Sequence, residues 1–124
     1  TGPVYLHESL AIGARETAGQ LHDRLATLGT RLVVAALAAL EAGTATATPQ
    51  PAEGVTYAHK LDKREATIDW RRPALEIERA VRAFVPWPIA ETTLGGEQLR
   101  IHEAAVLDAA AASRDAVASA AVPG

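Results

Sequence analysis

The 124-residue chain carries 12 lysines and arginines against 15 acidic residues, a formal net charge of -3. It therefore lacks the global basic footprint of a nucleic-acid-binding domain, and any such contact must come from a local cluster. With no cysteine, disulfides, thiolate catalysis and cysteine-ligated zinc are excluded, while the absence of a membrane-length apolar run or a signal-peptide pattern leads us to expect a soluble cytoplasmic protein.

By length the chain fits one small domain, but its details point to a piece of something longer. It opens on Thr1-Gly2-Pro3, holds no methionine, and closes on Val122-Pro123-Gly124, a turn signal that normally leads into further structure. Only 4% of residues are aromatic, and much of the apolar fraction is alanine, which buries little area per residue. A large self-contained core is not expected.

In chain order, Val4 to Leu10 alternates weakly and contains β-formers, which predicts a strand, closed into a loop by Gly13. A pairing strand is needed, and none lies nearby. Thr17-Ala18-Gly19-Gln20 fits a capping box, and Leu21, Leu25, Leu28, Leu32, Ala36 and Leu40 follow at helical spacing. Gly29-Thr30 either breaks that helix or is tolerated within it, and Gly43 is placed to terminate it. The block reads as a strand and an amphipathic helix that packs on a sheet. Residues 44–54, TATATPQPAEG, have the small-residue and proline content of a linker.

Next come Lys60, Lys63 and Arg64, interleaved with Asp62 and Glu65. Such a cluster is either a solvated charged face or a set of phosphate contacts, since both cation types neutralise phosphates without reading sequence. Pro73 opens a second helix whose apolar stripe is Ala74, Leu75, Ile77, Ala80, Val81 and Phe84. Glu78 and Arg82, four apart, are expected on its exposed flank. Pro86-Trp87-Pro88 ends it, with Trp87 expected as a rigid packing plug. Ile89–Leu94 and Gln98–Val106 read as two strands around Gly95-Gly96, a hairpin that needs a larger sheet for stability. Residues 108–121 are rich in alanine and serine, and read as a loop or a weak helix.

Residue spacing alone supplies no complete active site. His7, His22, His59 and His102 are far apart and lack metal-ligand spacing, and no phosphate loop, nucleophile elbow or zinc-protease motif is present. His7 and His102 are expected to be half-buried on their strands. The carboxylate pairs Asp62 with Glu65 and Glu76 with Glu78 have no apolar pocket in sequence that would tune them for acid–base work.

The central stretch resembles a family. Val55-Thr56-Tyr57-Ala58, Lys60-Leu61, Lys63, Ile68-Asp69-Trp70, Glu78-Arg79, Arg82-Ala83-Phe84 and Pro86-Trp87-Pro88 are similar to the linker and following helix of the methionyl-tRNA formyltransferases. Thr1-Gly2-Pro3-Val4-Tyr5-Leu6 and Glu16 to Leu25 resemble the last strand and helix of that family's catalytic domain. The likeness fades after about Leu107.

The resemblance implies an α/β fold: residues 1–43 end a Rossmann-like formyltransferase domain, 44–69 are an interdomain linker, and 70–124 begin a C-terminal, OB-like β-barrel domain that helps hold tRNA. It implies an enzyme that transfers a formyl group from 10-formyltetrahydrofolate, its co-substrate, to the amino group of initiator methionyl-tRNA in translation initiation, acting as a monomer. The family's catalytic residues and folate pocket lie upstream of the matched stretch, so the segment alone is expected to be inactive, with no catalytic, cofactor or metal residue of its own. Lys60 and Lys63 match basic, tRNA-contacting linker positions. Arg64 stands where an acidic residue is common and adds positive charge, and Thr1-Gly2-Pro3 departs from the commoner T-G-D. A folate-dependent formyltransferase acting on another amine, or a non-enzymatic interaction module with a basic linker, are the alternatives.

Overall fold

The computed structural model describes residues 2–107, which fall into two compact units divided after Glu65. The alanine-rich stretch 108–124 lies outside the described residues.

The first unit is built on one helix, α1 (Ala18–Glu41). The capping box forms as its sequence dictates: Thr17 Oγ1 accepts the Gln20 N–H at 3.3 Å, and Gln20 Oε1 accepts the Thr17 N–H at 3.0 Å. The helix runs unbroken through Gly29-Thr30. The leucines and alanines on either side have high helix propensity and outweigh one glycine, and Thr30 Oγ1 bonds back to the Ala26 carbonyl at 2.9 Å. Past the C-terminus Gly43 takes φ +68°, a left-handed conformation in which a side chain would be strained.

The strand expected over Val4–Leu10 does not form. Only Val4 pairs, in an isolated antiparallel bridge with Thr48 (2.8 and 2.9 Å), because among the described residues no other strand lies beside it. Gln50 Nε2 reinforces this bridge by donating to the Gly2 carbonyl at 2.7 Å. The segment then runs beside α1, held by Arg31 to both oxygens of Glu8 (2.9 and 3.0 Å) and by Arg24 to the Ala11 carbonyl (3.2 Å). Beyond the Thr48 bridge, residues 44–62 contain no helix or strand.

The second unit holds α2 (Ala74–Ala83), β1 (Ala90–Leu94) and β2 (Glu97–Ile101). The strands form an antiparallel hairpin in register from Ala90↔Ile101 to Leu94↔Glu97. Gly95 and Gly96 both have positive φ (59° and 88°), as a two-residue turn matched to the strand twist requires. β2 stops at Ile101 rather than continuing to Val106. Its partner ends at Ala90, preceded by Ile89 at φ 69° and a buried Pro88, so nothing remains to pair with. Before α2, Ile68 N–H donates to the Glu91 carbonyl at 2.9 Å and Thr67 bridges Glu91 in parallel, adding a short third edge.

The core is small and lies in this unit: Ala66, Val81 and Ala90 are buried. Two expectations fail around it. Trp87 is 55% exposed, and Pro88 is the buried member of the Pro-Trp-Pro element. Glu78 is only 7% exposed, so the Glu78–Arg82 pair lines the interior flank of α2 and not its outer face. The helix turns Ile77, Glu78 and Val81 inward together, and the two charges are satisfied by each other, with Arg82 Nε donating to Glu78 Oε1 at 2.7 Å.

Candidate nucleic-acid interface

Lys63 and Arg64 lie on a single-turn 3-10 helix, Lys63–Ala66, and Lys60 precedes it by three residues. Asp62 and Glu65 frame the turn as a reciprocal cap. Glu65 Oε1 accepts the Asp62 N–H at 2.6 Å, Asp62 Oδ1 accepts the Arg64 N–H at 2.9 Å, and the Asp62 carbonyl accepts the Glu65 N–H at 3.0 Å. Both carboxylates are therefore occupied by main-chain donors, which leaves the side chains of Lys60, Lys63 and Arg64 exposed and, among the described residues, without an ion pair. Three cations against two carboxylates give the segment one net positive charge.

The arginines elsewhere contrast with this. Arg24 is held by Glu16, Arg31 by Glu8, Arg71 by Asp69, Arg72 by Glu76 and Arg82 by Glu78, all within 2.9 Å. The Arg71 guanidinium, and then its backbone N–H, hold the Asp69 carboxyl below its ordinary value, and Asp69 in turn raises Arg71. These pairs fix turns and helix ends, and their charges largely cancel.

Two further exposed cations without an ion pair among the described residues, Arg79 on α2 and Arg100 on β2, were not singled out as contacts by the sequence. Nothing in their spacing distinguishes them from solubilising charges. A cleft of about 290 Å³ lies between α2 and the hairpin, lined by Ile68, Trp70, Ile77, Val81 and Ile101 among others. Trp70 is fixed at its edge by its indole N–H, which donates to Thr92 Oγ1 at 2.8 Å.

Among the described residues no group of His, Cys, Asp and Glu is arranged to hold a metal, and His7 and His102, expected half-buried, are exposed with His22 and His59. The strands that would have buried them are absent at residue 7 and ended at residue 101. No described helix is long and apolar enough to cross a membrane.

Residues 60–124, which begin at the first lysine of the basic cluster, match the family described as formyl transferase, C-terminal domain. The chain belongs to that family. It is 58% identical over 111 residues to the methionyl-tRNA formyltransferase of Xanthomonas campestris pv. campestris (strain 8004), covering 89% of this chain and 36% of the relative. It is 56% identical over 110 residues to that of Xanthomonas oryzae pv. oryzae (strain PXO99A), covering 88% and 36%. With the enzyme of Stenotrophomonas maltophilia (strain R551-3) the identity is 53% over 127 residues, covering 94% and 41%. The chain thus spans little more than a third of the length of the relatives it matches.

What the arrangement can do is offer unpaired cations to an anionic backbone.

Proposed function

We propose that the protein is a methionyl-tRNA formyltransferase, transferring the formyl group of 10-formyltetrahydrofolate to the amino group of initiator methionyl-tRNA in the cytoplasm, and that the present chain supplies tRNA docking. In this reading residues 1–43 close a Rossmann-like catalytic domain, 44–69 link it to the next, and 70–124 begin an OB-like barrel. The observation that carries the docking role is the capped turn at Asp62–Glu65. By directing both acidic groups onto main-chain N–H donors, it leaves Lys60, Lys63 and Arg64 available to phosphates. Lysine and arginine in such a position contact the nucleic-acid backbone, position it and carry no base specificity. The formyl donor is bound and the chemistry carried out by residues outside this chain, which by itself does not turn over.

The test is a salt titration of initiator tRNA binding to the full 124-residue chain, beside Lys60→Ala/Lys63→Ala. Each phosphate contact contributes about 0.7–0.9 to the slope of log affinity against log salt. The double variant is expected to weaken binding and to flatten the slope by roughly 1.5. Equal binding and equal slopes for the two proteins would remove the docking role. Equal affinity for initiator tRNA and an acidic polypeptide would favour a general interaction module.

A further inference from the structure

Residues 55–61, VTYAHKL, run without helix, turn or bend, and every one of them is exposed. Among the described residues they make no backbone hydrogen bond. In an extended chain alternate side chains share a face, which sets Val55, Tyr57, His59 and Leu61 on one side and Thr56, Ala58 and Lys60 on the other. Tyr57 is 81% exposed, with Val55 at 58% and Leu61 at 42%. One exposed apolar ring is ordinary. Two aromatic rings on one face, two residues apart, define a spacing. Extended backbone rises about 3.2–3.4 Å per residue, so the Tyr57 and His59 side chains leave it about 6.4–6.8 Å apart.

We propose that Tyr57 and His59 flank a slot for one unpaired base of the tRNA, with Lys60 on the adjoining phosphate. Bases along a strand are spaced about 3.4 Å apart, so a single base entering between the two rings stacks on both. Bases inside a duplex are already stacked and do not enter, whereas those of loops and ends do, and tyrosine and histidine are among the side chains that receive them. Such stacking tolerates any base, since each has a π-face. The slot therefore adds affinity for an unpaired nucleotide without reading its identity. Charge favours a nucleic acid over an apolar protein surface as the occupant. The nearest acidic residues are Glu53 and Asp62, and between them the one formal charge is that of Lys60, which follows His59 directly and turns to either face on its flexible four-carbon stem. The slot presupposes the docking reading, whose lysines it adjoins.

The experiment follows binding of the full 124-residue chain to initiator tRNA, to oligoadenylate and to a blunt-ended RNA duplex by fluorescence anisotropy. Tyr57→Ala and His59→Ala are each expected to weaken the tRNA and oligoadenylate complexes at least about fivefold, with the salt slope unchanged, and to leave the duplex complex within about twofold. Tyr57→Phe keeps the ring and should bind within about twofold of the unsubstituted chain. In proton NMR spectra, oligoadenylate should move the ring protons of both Tyr57 and His59 upfield, as stacking on a base does. Both side chains are exposed, so the substitutions should leave the circular dichroism spectrum unaltered. The slot is overturned by unchanged affinity of the two alanine variants, by an equal loss on the duplex, by a loss in Tyr57→Phe as large as in Tyr57→Ala, or by ring protons that do not move. Unchanged affinity of these variants beside a flatter salt slope for Lys60→Ala/Lys63→Ala overturns the slot and leaves the docking role standing. Ring shifts with oligoadenylate beside an unflattened slope for the lysine variant do the reverse, and failure to bind any of the three probes overturns both.

Discussion

Glu65 accepts the backbone N–H of Asp62 at 2.6 Å, so an acidic residue inside a basic cluster caps the turn and forms no ion pair with the cations beside it, while its charge still counts against theirs. Glutamine can serve as the third residue of a capping box as well as glutamate. Glu65→Gln should therefore preserve the turn while raising the net charge of residues 60–65 by one. The expected result is an unchanged thermal midpoint and tRNA affinity raised roughly two- to threefold at low salt, fading as salt screens the added charge. Fluorescence anisotropy at two ionic strengths measures it. A gain that persists at high salt would mean that Glu65 acts on shape and not on charge.

α1 offers paired substitutions of opposite sign. Gly29 sits inside the helix, and a methyl group there meets nothing within 4 Å, so Gly29→Ala should stabilise the helix by about 1 kcal/mol. Gly43 has equally open space but a φ of +68°. Alanine there is strained, and Gly43→Ala should cost about 1 kcal/mol. Urea melts followed at 222 nm separate the two. The same sign for both would show that side-chain room and not backbone conformation controls these positions.

Glu78 and Arg82 have side chains 9% and 17% exposed, with nitrogen and oxygen 2.7 Å apart. Glu78→Ala leaves a largely desolvated guanidinium without this partner and should destabilise the second unit by about 2 kcal/mol, below the range for fully enclosed pairs because Arg82 retains some solvent. The double replacement Glu78→Leu/Arg82→Met should recover most of that loss, since a well-packed apolar pair removes both charges together. If the double variant is as unstable as the single one, the pair contributes through geometry that aliphatic side chains cannot reproduce.

The elements legible in the sequence were those fixed by local chemistry. Thr17 and Gln20 announce the start of α1, Gly43 its end, and Gly95-Gly96 the hairpin turn, because each acts over a few residues. Features set by distant partners were not legible. Val4–Leu10 has the composition of a strand, but a strand exists only where a second one lies beside it. Glu78 and Arg82 obey the spacing of a surface pair, and only the packing of Val81 and Ala90 shows that this flank is enclosed. At the candidate interface, Lys60, Lys63 and Arg64 stand out in the sequence as a cluster of cations, whereas the cap made by Asp62 and Glu65 beside them depends on the direction of two side chains.

Glu16 gives the first unit a pH dependence whose sign follows from its partners. Its carboxylate is 8% exposed and receives Arg24 Nη1 at 2.6 and 2.7 Å and the Gly13 N–H at 2.8 Å. The Arg24 hydrogen bond first, and then that from Gly13, lower its pKa from the ordinary 4.5. A carboxyl whose folded pKa lies below its unfolded one contributes stability that is complete above 4.5 and is lost as pH falls through the lowered folded value. Acidification should therefore release the Gly13–Glu16 loop from α1, seen as faster exchange of the Gly13 amide after correction for the intrinsic rate. Asp69, held down from 3.8 by Arg71, should behave alike in the second unit at lower pH. Glu16→Gln should show the loosened loop already at neutral pH and abolish its acid dependence. A Gly13 exchange profile that stays flat from pH 6 to about 3 in the unsubstituted protein would mean that the Arg24 contact does not hold the loop in solution.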